Sequence, residues 1–454
     1  MKRLTRQEWT YLNIGGAPDE VTRAEADRLL AVADRAGQDL ALKSAEGERV
    51  LQDGRNRLRA QQTVGIIAAP GITLEILPKI DDLDAPGVLR RLIHMIAVCE
   101  GFDLSAEEQA ELEMQDRDLL EIFVALFARR LTSALRSGVL RGYRQEDDDR
   151  RALRGRLVVE RQFTRFAGRS DLLACRFDEF SLDIPLNRVL AAGARLLVGL
   201  TRVSANRQAL EYCLGQLEGI SPLANGPLPK VHFDRMNRRF ASAHALARLF
   251  LMGHYQTTSG GGQAGQAILF RMNVLFEAYI THIAQRCLTP KGWTVTAQKP
   301  QRPALWRGVT GLFQMKPDIV LRRGDRTLIL DTKWKRLTPE AQDPKRGISQ
   351  ADVYQMMAYA AAYEASAVVL IYPHSDGNAE FDLLRIGASG GQIAAVTLSM
   401  EELRLVPIRL LDLVNELSGG TIVGEAVLDN RDGAECEPTE AGRITDEIRR
   451  AFRR

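Results

Sequence analysis

The spacing of apolar residues changes twice along this chain. Over residues 1–80 they come in short runs broken by turn residues. In TVGIIAAPGITLEILPKI (63–80) two apolar runs flank Pro70-Gly71, which predicts a hairpin. From about residue 88 the period becomes helical: VLRRLIHMIAVC (88–99) and DLLEIFVALFARRLTSALRSGVL (118–140) repeat at i, i+3, i+4 and i+7. Helical spacing persists to about 250, interrupted by GYRQEDDDRRALRGRL (142–157) and SPLANGPLPK (221–230). After the glycine cluster TTSGGGQAGQA (257–267), helix-like and strand-like segments alternate, and a polar tail follows from about 425. The expectation is a multidomain α+β protein. Its parts are a β-rich N-terminal region (1–87), a mainly helical middle domain (88–256), a C-terminal α/β domain (257–424) and a tail (425–454).

The C-terminal domain carries the chemistry. QAILFRMNVLFEAYITHIAQ (266–285) reads as an amphipathic helix with Ile268, Met272, Leu275, Phe276, Tyr279 and Ile283 on its stripe and Glu277 at the margin. MKPDIVLRRGDRTLILDTKWKRL (315–337) reads as two strands around an Arg-Arg-Gly-Asp turn. Alternate side chains of a strand share a face, so Asp331, Lys333 and Lys335 point one way, and Thr332 and Trp334 the other. Asp318, on the preceding strand, reaches the same end of the sheet. Trp334 is expected to pack against a helix. SQADVYQMMAYAAAY (349–363) opens with Ser349 and Asp352, an S-x-x-D helix start, and places Gln355 and Tyr359 four apart on one face. The strand ASAVVLIYP (365–373) completes a helix–strand–strand–helix–strand core.

Two converging carboxylates and a lysine suit metal-assisted phosphodiester cleavage. Carboxylates hold Mg²⁺, a hard cation that keeps part of its water shell. The bound ion acidifies water and offsets phosphate charge, and a nearby lysine positions the water or steadies the transition state. Asp318, Asp331 and Lys333, with Glu277 and Gln355, are therefore the candidate catalytic residues. Asp318 and Asp331, with Glu277 as a further acid, are the candidate Mg²⁺ ligands, and Gln355 is an accessory residue.

Composition narrows the setting. Among 454 residues the net charge is only +3, so contact with nucleic acid must come from local basic patches. RRALRGR (150–156) and RMNRR (235–239) are two such runs, although Asp147–Asp149 beside the first favours local ion pairing. The five scattered cysteines form no ligand-like spacing, the six histidines no HxxxH, and the first residues no apolar leader. No apolar run is long enough to span a membrane. The expected location is the cytoplasm.

Pro317-Asp318, followed after twelve residues by Asp331-Thr332-Lys333, with Glu277 upstream and Gln355-x-x-x-Tyr359 downstream, resembles the PD-(D/E)xK nuclease superfamily. The resemblance extends to residues 64–80, 140–162, 175–190, 270–280 and 328–335, which together are similar to McrC, the nuclease subunit of McrBC modification-dependent restriction systems. It covers roughly residues 60–375. One position departs: Arg271 stands before Met-Asn where the family usually has an acidic residue. The resemblance implies a restriction-endonuclease-like C-terminal domain that cuts double-stranded DNA with Mg²⁺ and leaves a 5′-phosphate. It implies a partner of McrB type, an AAA+ GTPase ring that recognises modified cytosine and binds the GTP. The N-terminal and middle regions would engage that ring, with a part entering its pore, and the nuclease domain would pair with a second copy. The sequence itself contains no G-x-x-x-x-G-K-[ST] phosphate loop, consistent with nucleotide binding elsewhere. Two alternatives stand beside this reading: a repair nuclease of the same fold, and a non-catalytic adaptor that only stimulates a motor.

Overall fold

The computed structural model describes residues 2–39, 49–80, 84–105, 107–109, 119–169, 171–224, 226–251, 255–258, 265–297, 302–335, 337, 345, 347–374, 381–385 and 392–418. Glycines 260–262 and the expected tail lie outside the described residues. The chain forms two compact units, each assembled from two segments: residues 1–77 with 100–270, and residues 78–99 with 271–454.

The first unit is built on a five-stranded sheet. Its strands run in the order Lys2–Gln7, Ile72–Leu77, Thr63–Ala69, Gly265–Arg271 and Tyr255–Thr258. The hairpin expected around Pro70-Gly71 is present, with Ala69 opposite Ile72, and both its strands are wholly buried. Such two-sided burial explains why both strands read as near-continuous apolar runs. The helix Arg23–Asp39 lays Leu29, Val32, Ala33 and Ala36 against this sheet. Gly65, at φ 130°, lies so close to the neighbouring strand that an added Cβ would fall 1.9 Å from the Ile268 carbonyl oxygen. Helices Leu119–Leu135, Pro185–Leu200, Ser204–Gln216 and Ala241–Leu249 form the rest of the unit's core. The buried Glu121 ties the first of these to the start of the third. It accepts hydrogen bonds from Thr201 Oγ1 (2.7 Å), the Arg202 backbone N–H (2.6 Å) and Asn206 Nδ2 (3.0 Å).

The second unit contains a six-stranded sheet in the order Thr294–Ala297, Ile319–Arg323, Arg326–Thr332, Ala367–His374, Gln392–Ser399, Phe381–Arg385. Arg326–Thr332 and Ala367–His374 are parallel, joined across the helix Gln350–Tyr363. That helix covers the face bearing Val320, Ile329, Val368 and Leu370. The opposite face carries Ile319, Leu321, Leu328 and Leu330, and helix Met272–Leu288 packs on this sheet with Phe276 edge-on to Trp334. Helix Ala85–Cys99 packs on Met272–Leu288 in turn, with His94 against the Tyr279 ring and Cys99 donating to the Leu275 carbonyl.

Three expectations need correction. The linear division into domains gives way to discontinuous units, because the apolar stripe of Ala85–Cys99 finds its partner in the helix after residue 271. The helix expected over 266–285 starts only at Met272. Gly265–Arg271 is a strand, so Ile268 lies opposite Tyr255 in the first unit's sheet. The helical middle also contains a three-stranded sheet of Gly142–Arg150, Leu173–Ser181 and Arg156–Leu157. Its strand Gly142–Arg150 carries mostly charged residues, none of them buried, and so lacks the apolar alternation that marks a half-buried strand.

The close approach at Gly65 gives a direct test. Gly65→Ala is expected to destabilise the first unit by roughly 2–4 kcal/mol, through the collision with Ile268 and the positive φ. Thermal unfolding of the variant should show a lower midpoint; an unchanged midpoint would contradict this strand packing.

Candidate active site

The antiparallel register of Ile319–Arg323 with Arg326–Thr332 fixes the two carboxylates. Ile319 lies opposite Leu330, so Asp318, one residue before the strand, stands opposite Asp331. The turn is two residues, Gly324-Asp325, with Gly324 at φ 57° as short hairpin turns often require. A single-residue slip would turn Asp331 to the other face. Thr332 holds Asp318 in place: its backbone N–H and Oγ1 both donate to Asp318 Oδ2, at 2.7 and 2.8 Å.

The strand ends at Thr332, but Lys333 continues the ladder by one bond, from its N–H to the Ile371 carbonyl. Its side chain lies between two groups. Nζ is 2.6 Å from Asp331 Oδ2 and donates to Gln355 Oε1 at 3.0 Å. Gln355 in turn donates from Nε2 to the Tyr359 hydroxyl (2.9 Å), which donates to the Lys316 carbonyl (3.1 Å). Burial pushes the Tyr359 phenol up to about 12, so it keeps its proton and its donor role. The structure therefore joins Asp318, Asp331, Lys333, Gln355 and Tyr359 in one constellation. The helix bearing the last two is capped as its S-x-x-D start predicts, with Ser349 Oγ accepting from the Asp352 N–H.

Asp331 is the electrostatic centre of this group. Only 1% of it is exposed. Burial and then repulsion from Asp318 raise its carboxyl to about 6, against the pull of the Lys333 ion pair. Its Oδ2 is buried and has no hydrogen-bond partner of good geometry, although the Lys333 ammonium is at ion-pair distance. Two mutually repelling carboxylates, one with a buried under-bonded oxygen, fit a divalent cation. Mg²⁺ is commonly held by one or two carboxylates, with water and substrate phosphate completing its shell. Among the described residues no group of three or more His, Cys, Asp or Glu is placed to hold a metal, so the candidate ligand pair is Asp318 and Asp331. Glu277, the third acid expected, is half-buried on helix Met272–Leu288, next to the Phe276 that meets Trp334.

A neighbouring cluster was not legible beforehand. Lys335 ion-pairs with Asp352 and lies 3.4 Å from Ser349 Oγ, and the buried Tyr372 hydroxyl donates to Asp352 Oδ2 at 3.2 Å. Burial works against ionisation of Asp352, but the hydrogen bonds from Lys335 and Ser349 and the charges of Lys335 and Lys333 together outweigh it and hold the carboxyl below the usual range. In the sequence Asp352 is a plain helix-start residue, and no spacing links it to Lys335 or Tyr372.

In the first unit, the acidic triplet is neutralised locally. Asp147 pairs with Arg176 (2.6 Å), Asp148 with Arg150 (2.8 Å) and Asp149 with Arg161 (2.9 Å). Arg154 stacks on Phe177, 4.0 Å from the ring centre. The same sheet leaves Tyr143 and Phe180 exposed as a cross-strand pair with ring centres 5.2 Å apart.

Residues 58–373 match the family model described as "McrBC 5-methylcytosine restriction system component". The chain belongs to this family. Among known relatives, the Type IV methyl-directed restriction enzyme EcoKMcrBC of Escherichia coli strain K12 is 21% identical over 350 residues, covering 72% of this chain and 97% of that protein. Among solved structures, the chain resembles one in a refined half-complex from the tetradecameric assembly of Thermococcus gammatolerans McrB AAA+ hexamers with bound McrC. The TM-score is 0.65 at 22% identity, covering 90% of this chain and all of that one, a likeness of fold. The architecture is thus the mixed α/β fold of an McrBC component, and no helix among the described residues is long and apolar enough to cross a membrane.

The raised carboxyl of Asp331 predicts a pH effect of definite sign. The fold prefers the protonated form, so stability is lost as pH rises from the ordinary carboxylate range through about 6, and the cost persists at higher pH. In chelator at pH 8, Asp331→Asn should melt no lower than wild type, by up to about 2 kcal/mol in its favour, and the advantage should vanish near pH 4. Added Mg²⁺ should raise the wild-type midpoint more than that of the variant. A variant clearly less stable than wild type at pH 8 would show that the buried charge is not strained.

Proposed function

We propose that this chain is the nuclease subunit of its McrBC system, an Mg²⁺-dependent endonuclease of PD-(D/E)xK type that cuts double-stranded, methylcytosine-containing DNA. It would act with an AAA+ GTPase ring of McrB type and stimulate that ring's GTP hydrolysis. The observation that carries the proposal is the convergence of Asp318, Asp331 and Lys333 at one end of a hairpin. The likeness to a chain of an assembly described as McrB hexamers with bound McrC supports the partner. So does the lack of a phosphate loop in this sequence.

In this reading Asp318 and Asp331 hold the ion, and Thr332 fixes the orientation of Asp318. When bound, Mg²⁺ supplies an acidified water and neutralises charge on the attacked phosphate. Lys333 orients the attacking water or steadies the phosphate's developing charge. The Gln355–Tyr359–Lys316 chain restrains its ammonium and so lowers the cost of ordering it. Glu277 is a supporting acid on the helix packed against Trp334. Lys335, braced by Asp352, adds positive charge near the phosphate path.

Cleavage of cytosine-methylated plasmid, with the partner, GTP and Mg²⁺ present, tests the assignment. Asp331→Ala and Lys333→Ala should each lower cutting by at least about a hundredfold while GTP turnover continues. Gln355→Ala should cost about tenfold, and Glu277→Gln less than Asp331→Ala. Normal cutting by Asp331→Ala would refute the site, and GTPase stimulation without cutting by wild type would leave the adaptor.

The ring contact has its own candidate in the exposed Tyr143–Phe180 pair. Exposed aromatics of this kind are typical interface anchors. The double change Tyr143→Ser, Phe180→Ser should lower GTPase stimulation by about tenfold or more at fixed concentrations, with the fold intact by circular dichroism. Stimulation equal to wild type would exclude this pair.

A further inference from the structure

Residues Arg302–Arg307 and Thr310–Met315 form a separate two-stranded ribbon in the second unit. Its base is fastened to the helix that carries Gln355. The Tyr363 hydroxyl donates to the Met315 carbonyl at 2.9 Å, and Arg302 donates to the Ala362 carbonyl at 3.3 Å while stacking over the Tyr363 ring. The outer part is apolar yet open to solvent: Leu305 is 59% exposed, Trp306 66%, Val309 95% and Phe313 71%. Phe313 sits at φ 56°, a costly conformation for a bulky residue. Burial inside this chain does not account for these side chains.

Charge and position indicate what covers them. From 302 to 317 the sequence carries Arg302, Arg307 and Lys316 and no acidic residue. Only Lys316 and Pro317 separate the ribbon from Asp318. An apolar tip with Arg307 beside it and with Arg302 and Lys316 at its base, joined directly to the candidate cleavage site, matches a duplex: phosphates for the cations and bases for the apolar groups. A two-stranded ribbon is narrow enough for the major groove, where apolar side chains at its tip can contact base edges and thymine methyls. Resting on the nuclease reading above, we infer that this ribbon grips double-stranded DNA beside the scissile phosphate, with Trp306 and Val309 seated against the bases. The shared attachment to helix Gln350–Tyr363 sets the gripped duplex in register with Lys333.

The experiment uses the full-length chain assembled with its AAA+ partner. A photoreactive benzoylphenylalanine replaces Trp306 in an Asp331→Asn background, and the assembly is irradiated with end-labelled methylated duplex. In parallel, Trp306→Ser/Val309→Ser is assayed for cutting, GTP turnover and self-association by sedimentation. The expected results are a DNA adduct and a loss of cutting of at least about tenfold, with GTP turnover within about twofold of wild type. Adducts only with a second copy of the chain, or self-association lost with cutting unchanged, would overturn the inference in favour of a protein interface. Adducts only with the partner ring, or cutting unchanged with no DNA adduct, would also overturn it. Failure of the nuclease reading is separately visible, because wild-type cutting and its loss in Asp331→Ala are read without the ribbon variants.

Discussion

Two carboxylates face each other across the end of a hairpin, and the more buried one is held ionised at a cost. Most of the second unit's local arrangement follows from accommodating that repulsion. Without a counter-charge, Asp331 would be protonated through much of the acid range, because burial and Asp318 both oppose its ionisation. Lys333 supplies part of the compensation at 2.6 Å, and Thr332 takes two hydrogen bonds to one oxygen of Asp318. Neither satisfies Asp331 Oδ2 with a well-aligned donor. The remaining electrostatic demand is of the kind a divalent cation meets, which gives the pair its chemical meaning. Ordinary buried acids elsewhere in the chain contrast with it. Glu121 is also buried but is saturated by a hydroxyl, a backbone N–H and an amide, and reads as structure.

Helix Gln350–Tyr363 is the organising element around that pair. One side of it buries Met356 and Tyr359 on the sheet, which fixes its rotation. Its first turn presents Asp352 to Lys335, its middle presents Gln355 to Lys333, and its last turn presents Tyr363 to the ribbon. Three side chains on one rigid rod thus set the positions of two lysines and of the segment leading into Asp318. Loops alone would leave the long lysine side chains free to wander, and ordering each would oppose any phosphate contact. Placing both under hydrogen-bond restraint in the free chain removes part of that cost. It also explains why a tyrosine as buried as Tyr359 keeps a polar function: its hydroxyl bridges the helix to the Lys316 carbonyl, two residues before the carboxylate.

The sequence made the site easier to read than the surroundings, and the reason is periodicity. The strand pair 319–332 reads as two short apolar runs, its turn carries glycine, and its acids bound or interrupt those runs where charge needs a partner. Parity alone then places Asp318, Asp331 and Lys333 together, and i, i+4 spacing places Gln355 with Tyr359. Where the reading failed, the local pattern carried a different signal. Gly265–Arg271 is a buried apolar strand running directly into an amphipathic helix, and a run without alternation fits either element until its flanks are known. Residues 142–150 form a strand in which arginines and aspartates pair across the sheet, so the cross-strand ion pairs do the work that apolar burial does elsewhere. The assignment of Ala85–Cys99 to the unit containing the site depended on a partner helix far along the chain, which local periodicity does not encode. The pairing of Lys335 with Asp352 belongs to the same class of miss. Each has an ordinary local role, as strand-end lysine or helix-start acid, and only the parallel crossover between Arg326–Thr332 and Ala367–His374 brings them together. Residue types and spacing thus report chemistry held within one hairpin or one helix turn. Chemistry that depends on a crossover is set by topology, which is why the acid that braces Lys335 emerges from the fold alone.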